Sequence, residues 1–196
     1  VGAGSGRDSL ALSRAGGEVT VLDYAQSSLE TIQQLFGEAN QPVALIKGDA
    51  TRAPLHPGTF NLVFHQGLLE HFRDPLALVT DNIRLLAPGG YLLIDVPQRY
   101  HLYTLAKHIL IMLDKWFAGW ETEFSMVQLK KIMTDQGLKI VHTYGDWMNP
   151  SFLYRTVREM GYKAGVHLPL YPPTVPIVRD IRRILKTALQ RYSRFD

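Results

Sequence analysis

The first residues of the chain place glycine at alternate positions, and this spacing constrains the fold more than any other feature. Gly2, Gly4 and Gly6 fall where an apolar residue, Val1, gives way to a polar, helix-compatible segment. The pattern predicts the end of a buried strand, a tight turn and the start of a helix. Glycine lets the backbone approach a ligand closely, and the free N–H groups of a helix start favour a negative group. The junction is therefore a candidate cofactor site, and the order of the elements that follow decides how strongly the sequence supports it.

Short apolar runs alternate with amphipathic segments through the rest of the first 145 residues. The predicted strands are Val19–Leu22, Pro42–Ile46, Phe60–Phe64, Tyr91–Val96 and Leu138–Thr143. The predicted helices are Ser9–Ala15, one capped by Ser27 or Ser28 and ending at Phe36, Leu68–Phe72, Leu76–Leu86 ended by Pro88-Gly89-Gly90, and one capped by Ser125 and ending at Gln136. Such alternation predicts an α/β fold: a doubly wound, mostly parallel sheet with helices on both faces and right-handed crossovers.

The glycine spacing separates two kinds of nucleotide site. A nicotinamide dinucleotide fingerprint, G-x-G-x-x-G, would need a glycine at position 7 when counted from Gly2 and Gly4. That position holds Arg7, and the third glycine comes one residue earlier, at Gly6. A nicotinamide-dependent oxidoreductase is therefore the disfavoured alternative.

The succession of glycine turn, Asp23, Gly48-Asp49-Ala50 and His65-Gln66 at strand ends resembles the class I S-adenosylmethionine-dependent methyltransferases of the type 11 kind. The resemblance covers roughly residues 1–145 and implies a Rossmann-like fold with S-adenosylmethionine as cofactor. On this comparison the first and last strands are expected to be truncated here. We expect one domain over residues 1–196, with an insertion at about 97–122 and a basic C-terminal helix at about 177–192.

The resemblance assigns cofactor contacts residue by residue. Asp23, at the carboxyl end of its strand, is expected to accept hydrogen bonds from the ribose hydroxyls. The remaining expected contacts are Gly2, Ala3, Gly4 and Gly6 in the turn, Tyr24, Asp49 and Ala50 around the adenine, and His65 and Gln66 beside the methionine half. Asp49 also fits an ordinary turn aspartate, which stays open at this point.

Histidines near the expected methyl group are candidates for a general base, because a hydroxyl acceptor must lose a proton. These candidates are His71, His65 and His101. Glu70 and His71 also resemble the last two residues of a Glu-x-x-Glu-His metal motif of ubiquinone-pathway O-methyltransferases. The first acid is replaced by Gly67, which removes an oxygen ligand, so we predict no metal.

The segment 97–122 is the one long insertion in the pattern. It follows the expected strand Tyr91–Val96, which is the fifth when the strand ending at Val1 is counted, at the ligand-binding edge. Its substrate candidates are Tyr100, His101, Tyr103 and Trp120. An aromatic and aliphatic wall suits an apolar or aromatic small molecule as methyl acceptor, more readily at oxygen than at nitrogen or carbon. Packing into the core is the competing interpretation of its apolar helix.

Charge is distributed unevenly along the chain. Residues 1–98 hold 6 Lys and Arg against 10 Asp and Glu, whereas residues 99–196 hold 15 against 8, for a net charge of +3. A solvated basic tail is favoured over one that binds an anionic partner, so a non-catalytic module on membrane or nucleic acid is the second alternative. Nucleic acid is disfavoured as a partner, peripheral membrane contact is not favoured, and we expect a cytoplasmic protein of unspecified oligomeric state.

Overall fold

The computed structural model describes residues 1–97, 99, 102–114, 121–145, 152–169 and 180, which fall in two compact units, Val1–Leu138 and Lys139–Asp196. The elements of the first unit are α1 (Arg7–Arg14), β1 (Thr20–Asp23), α2 (Gln26–Glu38), β2 (Ala44–Lys47), β3 (Phe60–Gln66), a 3-10 turn (Leu69–His71), α3 (Pro75–Leu85), β4 (Leu86–Asp95), α4 (Leu102–Met112) and α5 (Met126–Asp135). The second unit contains α6 (Phe152–Lys163). The single-domain organisation stays a prediction.

The sheet consists of two parallel pairs of strands joined by the first residues of the chain. β1 pairs with β2, and β3 pairs with β4, both in parallel register. Between the pairs, the Gly2 N–H donates to the Leu22 carbonyl at 2.8 Å, and the Val1 amino group donates to the Phe64 carbonyl at 2.9 Å. The spatial order is therefore β2, β1, residues 1–2, β3, β4. The predicted parallel, doubly wound sheet is confirmed.

Helices cover both faces of this sheet because successive strand residues point to opposite sides. Val21 of β1 packs with Ile32 and Phe36 of α2 in one buried cluster. Its neighbour Leu22 packs with Leu85 of α3 in another. The strand is thus buried on both sides, as its continuous apolar sequence requires. β2 differs, because only its middle residues are half-buried and its two ends are exposed.

The Pro88-Gly89-Gly90 segment does not end a helix, so that prediction is wrong. α3 ends at Leu85, and β4 begins at the next residue, Leu86. Residues 88–90 lie inside β4, where the register changes between the pairs Phe60–Leu86 and Leu62–Tyr91. The irregular stretch absorbs the extra residues of β4 as a bulge, which is where proline and glycine are tolerated in a strand.

The predicted serine cap of α2 is also wrong. The helix begins earlier, with Ala25 as its N-cap residue and without a side-chain cap. Asp23 explains the early start, because its Oδ1 accepts a hydrogen bond from the Ala25 N–H at 2.9 Å and turns the chain into the helix. Ser27 and Ser28 consequently lie in the first turn of the helix.

Only one 3-10 turn forms where a helix over Leu68–Phe72 was predicted. The turn covers Leu69–His71, and Phe72 is already extended. The reason lies in the next residues, since Pro75 restricts Asp74 to extended backbone and itself starts α3. Asp74 then caps α3 by accepting from the Leu76 N–H at 3.0 Å.

Two expectations about helix ends and faces have opposite outcomes. Ser125 is the N-cap of α5 as predicted, in a capping box with Gln128. In α1, by contrast, Leu10 is buried but Ala15 is exposed, and Ser9 and Ser13 face inward instead. The helix ends before Ala15, which therefore lies beyond the buried face.

The strand predicted at Leu138–Thr143 does not form. These residues have no regular secondary structure, and no strand ladder among the described residues includes them. A strand needs a hydrogen-bonding neighbour, which an apolar sequence run alone does not supply. α6, in turn, was not predicted, and the predicted basic helix at 177–192 lies outside the described residues, apart from residue 180.

The buried face of α3 provides a direct test of the core. Leu78 is 0% exposed and Leu76 is 45% exposed on the same helix. Replacing Leu78 with alanine should lower the free energy of unfolding by about 2–5 kcal/mol, because it leaves a cavity. Leu76→Ala is the matched control and should cost less than about 1 kcal/mol. Urea unfolding measures both, and equal losses would contradict this packing.

Candidate functional site

A cavity of about 190 Å³ lies against the glycine turn and the carboxyl end of β3. Its walls come from the turn, from the first residues of α1 and from the last residues of β3. The lining residues are Val1, Gly2, Ala3, Gly4, Ser5, Arg7, Asp8, Ser9, Phe64, His65 and Gln66. The fold therefore brings together the predicted turn residues and the predicted pair His65 and Gln66.

The glycine turn is closed by its own backbone. The Gly6 N–H donates to the Ala3 carbonyl at 2.8 Å, and Gly6 is the N-cap of α1 with φ of 70°. A Cβ at Gly6 would lie 2.7 Å from Cγ1 of Ile32 in α2, whereas a Cβ at Gly4, with φ of +52°, would meet nothing within 4 Å. Gly6 thus allows close helix packing, and Gly4 leaves open space beside the cavity.

The predicted ribose and adenine residues lie along the same sheet edge but outside the cavity lining. The Gly48 N–H donates to the Asp23 carbonyl at 3.1 Å, so the ends of β1 and β2 are adjacent. Tyr24 follows Asp23 and is 79% exposed. Asp49 and Ala50 follow Gly48 in the chain. The edge therefore runs without interruption from residue 50 through residue 23 to the glycine turn.

Asp49 is committed to its own loop. Its Oδ1 accepts hydrogen bonds from both the backbone N–H and the hydroxyl of Thr51, each at 2.8 Å. The backbone hydrogen bond, followed by that of the hydroxyl, lowers the pKa of Asp49. These hydrogen bonds orient the carboxylate within the turn, as in the turn-aspartate interpretation that the sequence left open.

A clamp on α3 holds the loop that follows Asp49. Asp81 accepts from the Ala53 N–H at 3.0 Å and pairs with Nε of Arg84 at 2.7 Å. Arg84 in turn donates to the carbonyls of Ala53 and Leu55, each at 2.8 Å. The loop is therefore fastened through both its donors and its acceptors.

His65 is the most deeply buried polar residue of the cavity wall. It is 1% exposed, and neither Nδ1 nor Nε2 has a hydrogen-bond partner within the described part of the chain. Burial lowers the pKa of His65 to about 4. The imidazole is therefore neutral near pH 7, and one nitrogen is a free acceptor.

Glu70 is a second buried group with unused capacity, in the turn directly after β3. It is 3% exposed, and Oε2 has no partner among the residues described. Burial raises the pKa of Glu70. A Cβ at Gly67 would lie 3.4 Å from its Oε1, so this carboxyl faces the end of β3. The adjacent His71 is exposed.

The metal-free prediction remains a prediction. Within the described ranges, no cluster of three or more His, Asp or Glu side chains has the arrangement of a metal site. Gly67, where the related metal motif has an acid, approaches Glu70 but brings no ligand atom of its own.

The two ends of the insertion at 97–122 are held to neighbouring residues by backbone hydrogen bonds. The Arg99 N–H donates to the Phe124 carbonyl at 3.0 Å, and the Thr122 N–H donates to the Glu70 carbonyl at 2.6 Å. α4 forms part of the insertion. The predicted substrate residue Tyr103 lies in α4, where the structure describes its backbone and not its side chain. The other predicted substrate residues, Tyr100, His101 and Trp120, lie outside the described residues.

Comparison with known proteins agrees with this geometry. The family model described as "Methyltransferase domain" matches residues 1–94, which contain the glycine turn and β1 to β3. This match to residues 1–94 supports the resemblance to the class I S-adenosylmethionine-dependent methyltransferases. The nicotinamide alternative, already disfavoured by Arg7, is not supported by this match.

Curated relatives are ubiquinone biosynthesis O-methyltransferases. The protein from Psychrobacter arcticus is 30% identical over 76% of this chain and 62% of its own length. That from Psychrobacter cryohalolentis is 29% identical over 87% of this chain and 70% of its own length. That from Proteus mirabilis is 31% identical, and this chain spans 49% of it. The chain thus spans less than two thirds of two of these relatives.

Solved structures show the same fold. The YcgJ protein from Bacillus subtilis superposes with a TM-score of 0.63 at 19% identity, over 82% of this chain and 68% of that one. An S-adenosylmethionine-dependent methyltransferase from Thermotoga maritima gives 0.58 at 19% identity, over 71% and 62%. These similarities establish the Rossmann-like class of the sheet.

S-adenosylmethionine is the cofactor of this family, and the residues of the cavity fit it. The turn offers open space at Gly4, and the unpartnered nitrogens of His65 offer polar contacts in the same wall. Arg7 and Asp8 also line the cavity and were not predicted as site residues. Arg7 could have been predicted as a site residue, because its guanidinium can bind a carboxylate and it directly follows the glycine turn.

The two turn glycines should respond differently to alanine. Gly4→Ala strains a positive φ and should cost about 1 kcal/mol of stability, while narrowing the cavity and weakening S-adenosylhomocysteine binding. Gly6→Ala adds the overlap with Ile32 and should cost about 2–4 kcal/mol. Gly16→Ala, with φ of +92° and nothing within 4 Å, is the control for strain alone. Urea unfolding and calorimetry measure the two effects. Equal stability losses at Gly6 and Gly16 would contradict the close helix packing.

The buried His65 should make stability depend on pH. The unfolded histidine takes up a proton near pH 6.5, and the folded one near pH 4. The contribution of His65 to the free energy of unfolding is therefore complete above pH 6.5 and is lost as the pH falls towards 4. Between pH 7.5 and 5 the free energy of unfolding should fall by about 2 kcal/mol from this residue. His65→Gln should remove that contribution, and His56→Gln, at an exposed site, is the control. An unchanged pH dependence in His65→Gln would contradict the assignment.

Proposed function

We propose that this protein transfers the methyl group of S-adenosylmethionine to a hydroxyl group of an apolar or aromatic small molecule. The observation that carries the proposal is the convergence of the glycine turn, His65 and Asp23 on one edge of a parallel sheet. In open α/β sheets ligands bind at the carboxyl ends of the strands. The cavity of about 190 Å³ occupies this position.

The cofactor would be held by the backbone of the turn and by side chains along the sheet edge. Gly2, Ala3, Gly4, Gln66 and Arg7 line the cavity. They would hold the methionine end of the cofactor, where Arg7 would supply a cation. Asp23 would accept from the ribose hydroxyls through the oxygen that the Ala25 N–H does not use. The Asp49 loop, with Tyr24 and Ala50, would lie beside the adenine.

The bound cofactor supplies an electrophilic methyl group on positively charged sulfur, so the protein's task is to orient the acceptor and exclude water. His65 is suited to orient a hydroxyl, because its neutral imidazole retains one acceptor nitrogen. Its lowered pKa of about 4 makes it a hydrogen-bond acceptor more than a strong base near neutral pH. His71, exposed beside Glu70, and His101 remain candidates for removing the proton.

The acceptor class rests on the insertion and on the names of the relatives. α4 carries an aliphatic run, and those relatives are named as O-methyltransferases of ubiquinone biosynthesis. An aromatic hydroxyl with an apolar substituent fits both. None of the described helices is long and apolar enough to cross a membrane. The proposal includes a cytoplasmic location. It disfavours nucleic acid as a partner and does not favour peripheral membrane contact.

Cofactor binding provides the first test of the proposal. S-adenosylhomocysteine should bind in calorimetry, and Asp23→Ala should weaken binding by about 1–3 kcal/mol, because ribose hydroxyls lose their acceptor. Glu18→Ala is the matched control, since Glu18 is exposed two residues before β1, at the opposite edge of the sheet. Binding of NADH without binding of S-adenosylhomocysteine would refute the proposal.

The acceptor is tested by methyl transfer from labelled S-adenosylmethionine. We expect hexylcatechol to be methylated faster than unsubstituted catechol, because the insertion offers an apolar wall, and expect histamine to be a poorer acceptor. Mass spectrometry of the product distinguishes oxygen from nitrogen methylation. Preferential methylation of histamine would overturn the assignment to oxygen while leaving the cofactor assignment intact.

A further inference from the structure

A buried lysine in α4 has two carboxylate partners on the segment that closes the insertion. Lys107 is 3% exposed, and its Nζ lies 3.3 Å from Oε2 of Glu121 and 3.0 Å from Oε1 of Glu123. The side chains of these glutamates are 8% and 17% exposed. His108, on the exposed side, also contacts Oε1 of Glu123 at 2.6 Å. The four residues form the anchor cluster of α4.

The carboxylates of this cluster are oriented by an ionic network. Burial alone would raise the pKa of Glu123, but hydrogen bonds from Lys107 and His108 hold it below its usual value. Burying an ammonium group is costly unless carboxylates pair with it. The cluster therefore defines one position for α4 relative to the segment 121–123.

That segment is itself fastened to the end of β3. Thr122 lies between the two glutamates, and its N–H donates to the Glu70 carbonyl at 2.6 Å. Its hydroxyl donates to the Phe72 carbonyl at 3.3 Å. The contacts run continuously from the turn after His65, through Thr122 and the two glutamates, to Lys107 on α4.

We propose that Lys107, with Glu121 and Glu123, is a positioning group that fixes α4 at the reacting edge and thereby sets acceptor binding. This inference rests on the proposed function, because it treats the insertion as the acceptor wall. Lys107 itself acts through the position of the helix and does not touch the methyl group. Its ammonium is occupied by the two carboxylates, so the acceptor contacts come from other residues of the insertion.

The test uses the full chain, with hexylcatechol as acceptor probe. Lys107→Met should raise the KM for hexylcatechol about tenfold or more, because small displacements of a binding wall are costly. Affinity for S-adenosylhomocysteine should stay within about twofold, since the cofactor residues are not in the cluster. Amide hydrogen exchange of residues 102–112 should accelerate in the variant. Lys131→Met removes an exposed Lys131–Asp135 pair on α5 and is the matched control.

Partner substitutions show whether the cluster acts as one unit. Glu121→Gln should also raise the KM, and the double variant with Lys107→Met should be no worse than Lys107→Met alone. His108→Gln should have a smaller effect, because His108 is 59% exposed. These variants keep the test valid if Lys107→Met folds poorly.

The outcomes separate this inference from the proposed function. The positioning role would be overturned if Lys107→Met and Glu121→Gln both kept the wild-type rate of amide hydrogen exchange in α4 and the wild-type KM for hexylcatechol. A parallel loss of S-adenosylhomocysteine affinity would also overturn it, since that indicates general destabilisation. If the wild type methylates no probe, the proposed function fails, and unchanged exchange of α4 then refutes the anchor as well.

Discussion

The structure depends on two backbone hydrogen bonds made by the first two residues of the chain. Gly2 bonds to β1 through the Leu22 carbonyl, and Val1 bonds to β3 through the Phe64 carbonyl. These bonds join two separate parallel pairs of strands into one ordered surface. Because the strands of each pair run parallel, the carboxyl ends within each pair lie at the same edge. The glycine turn leaves residue 2 at that edge, so the cavity lies where the two halves of the sheet join.

Burial gives this edge its chemistry. His65 and Glu70 lie close together in sequence, on either side of the end of β3, and both are almost inaccessible to solvent. Desolvation disfavours the charged form of each, so it lowers the pKa of the histidine and raises the pKa of the glutamate. His65 lines the cavity with a neutral imidazole whose nitrogens have no partner among the described residues, so it can make a hydrogen bond to a ligand without presenting a charge.

The insertion is positioned by the opposite strategy, because Lys107 is buried with its charge paired. Its carboxylate partners lie on each side of Thr122, whose hydrogen bonds lead back to the turn carrying Glu70. The insertion, which is the proposed acceptor wall, is thus connected to the turn after β3 through a short network.

The sequence by itself determined the α/β class and the succession of most strands along the chain, and it predicted that the glycine turn would lie beside His65 and Gln66. Alternating apolar runs and the spacing of Gly2, Gly4 and Gly6 are local patterns that can be read along the chain. Residues at the carboxyl ends of parallel strands come together at one edge of the sheet, whatever the lengths of the loops between them. Tertiary structure decided the rest. A strand at 138–143 failed because pairing needs a neighbour, and the bulge at 88–90 arose from register with β3. The burial of His65 and the anchor at Lys107 likewise depend on distant residues, because solvent exclusion and ion pairing are properties of the packed chain.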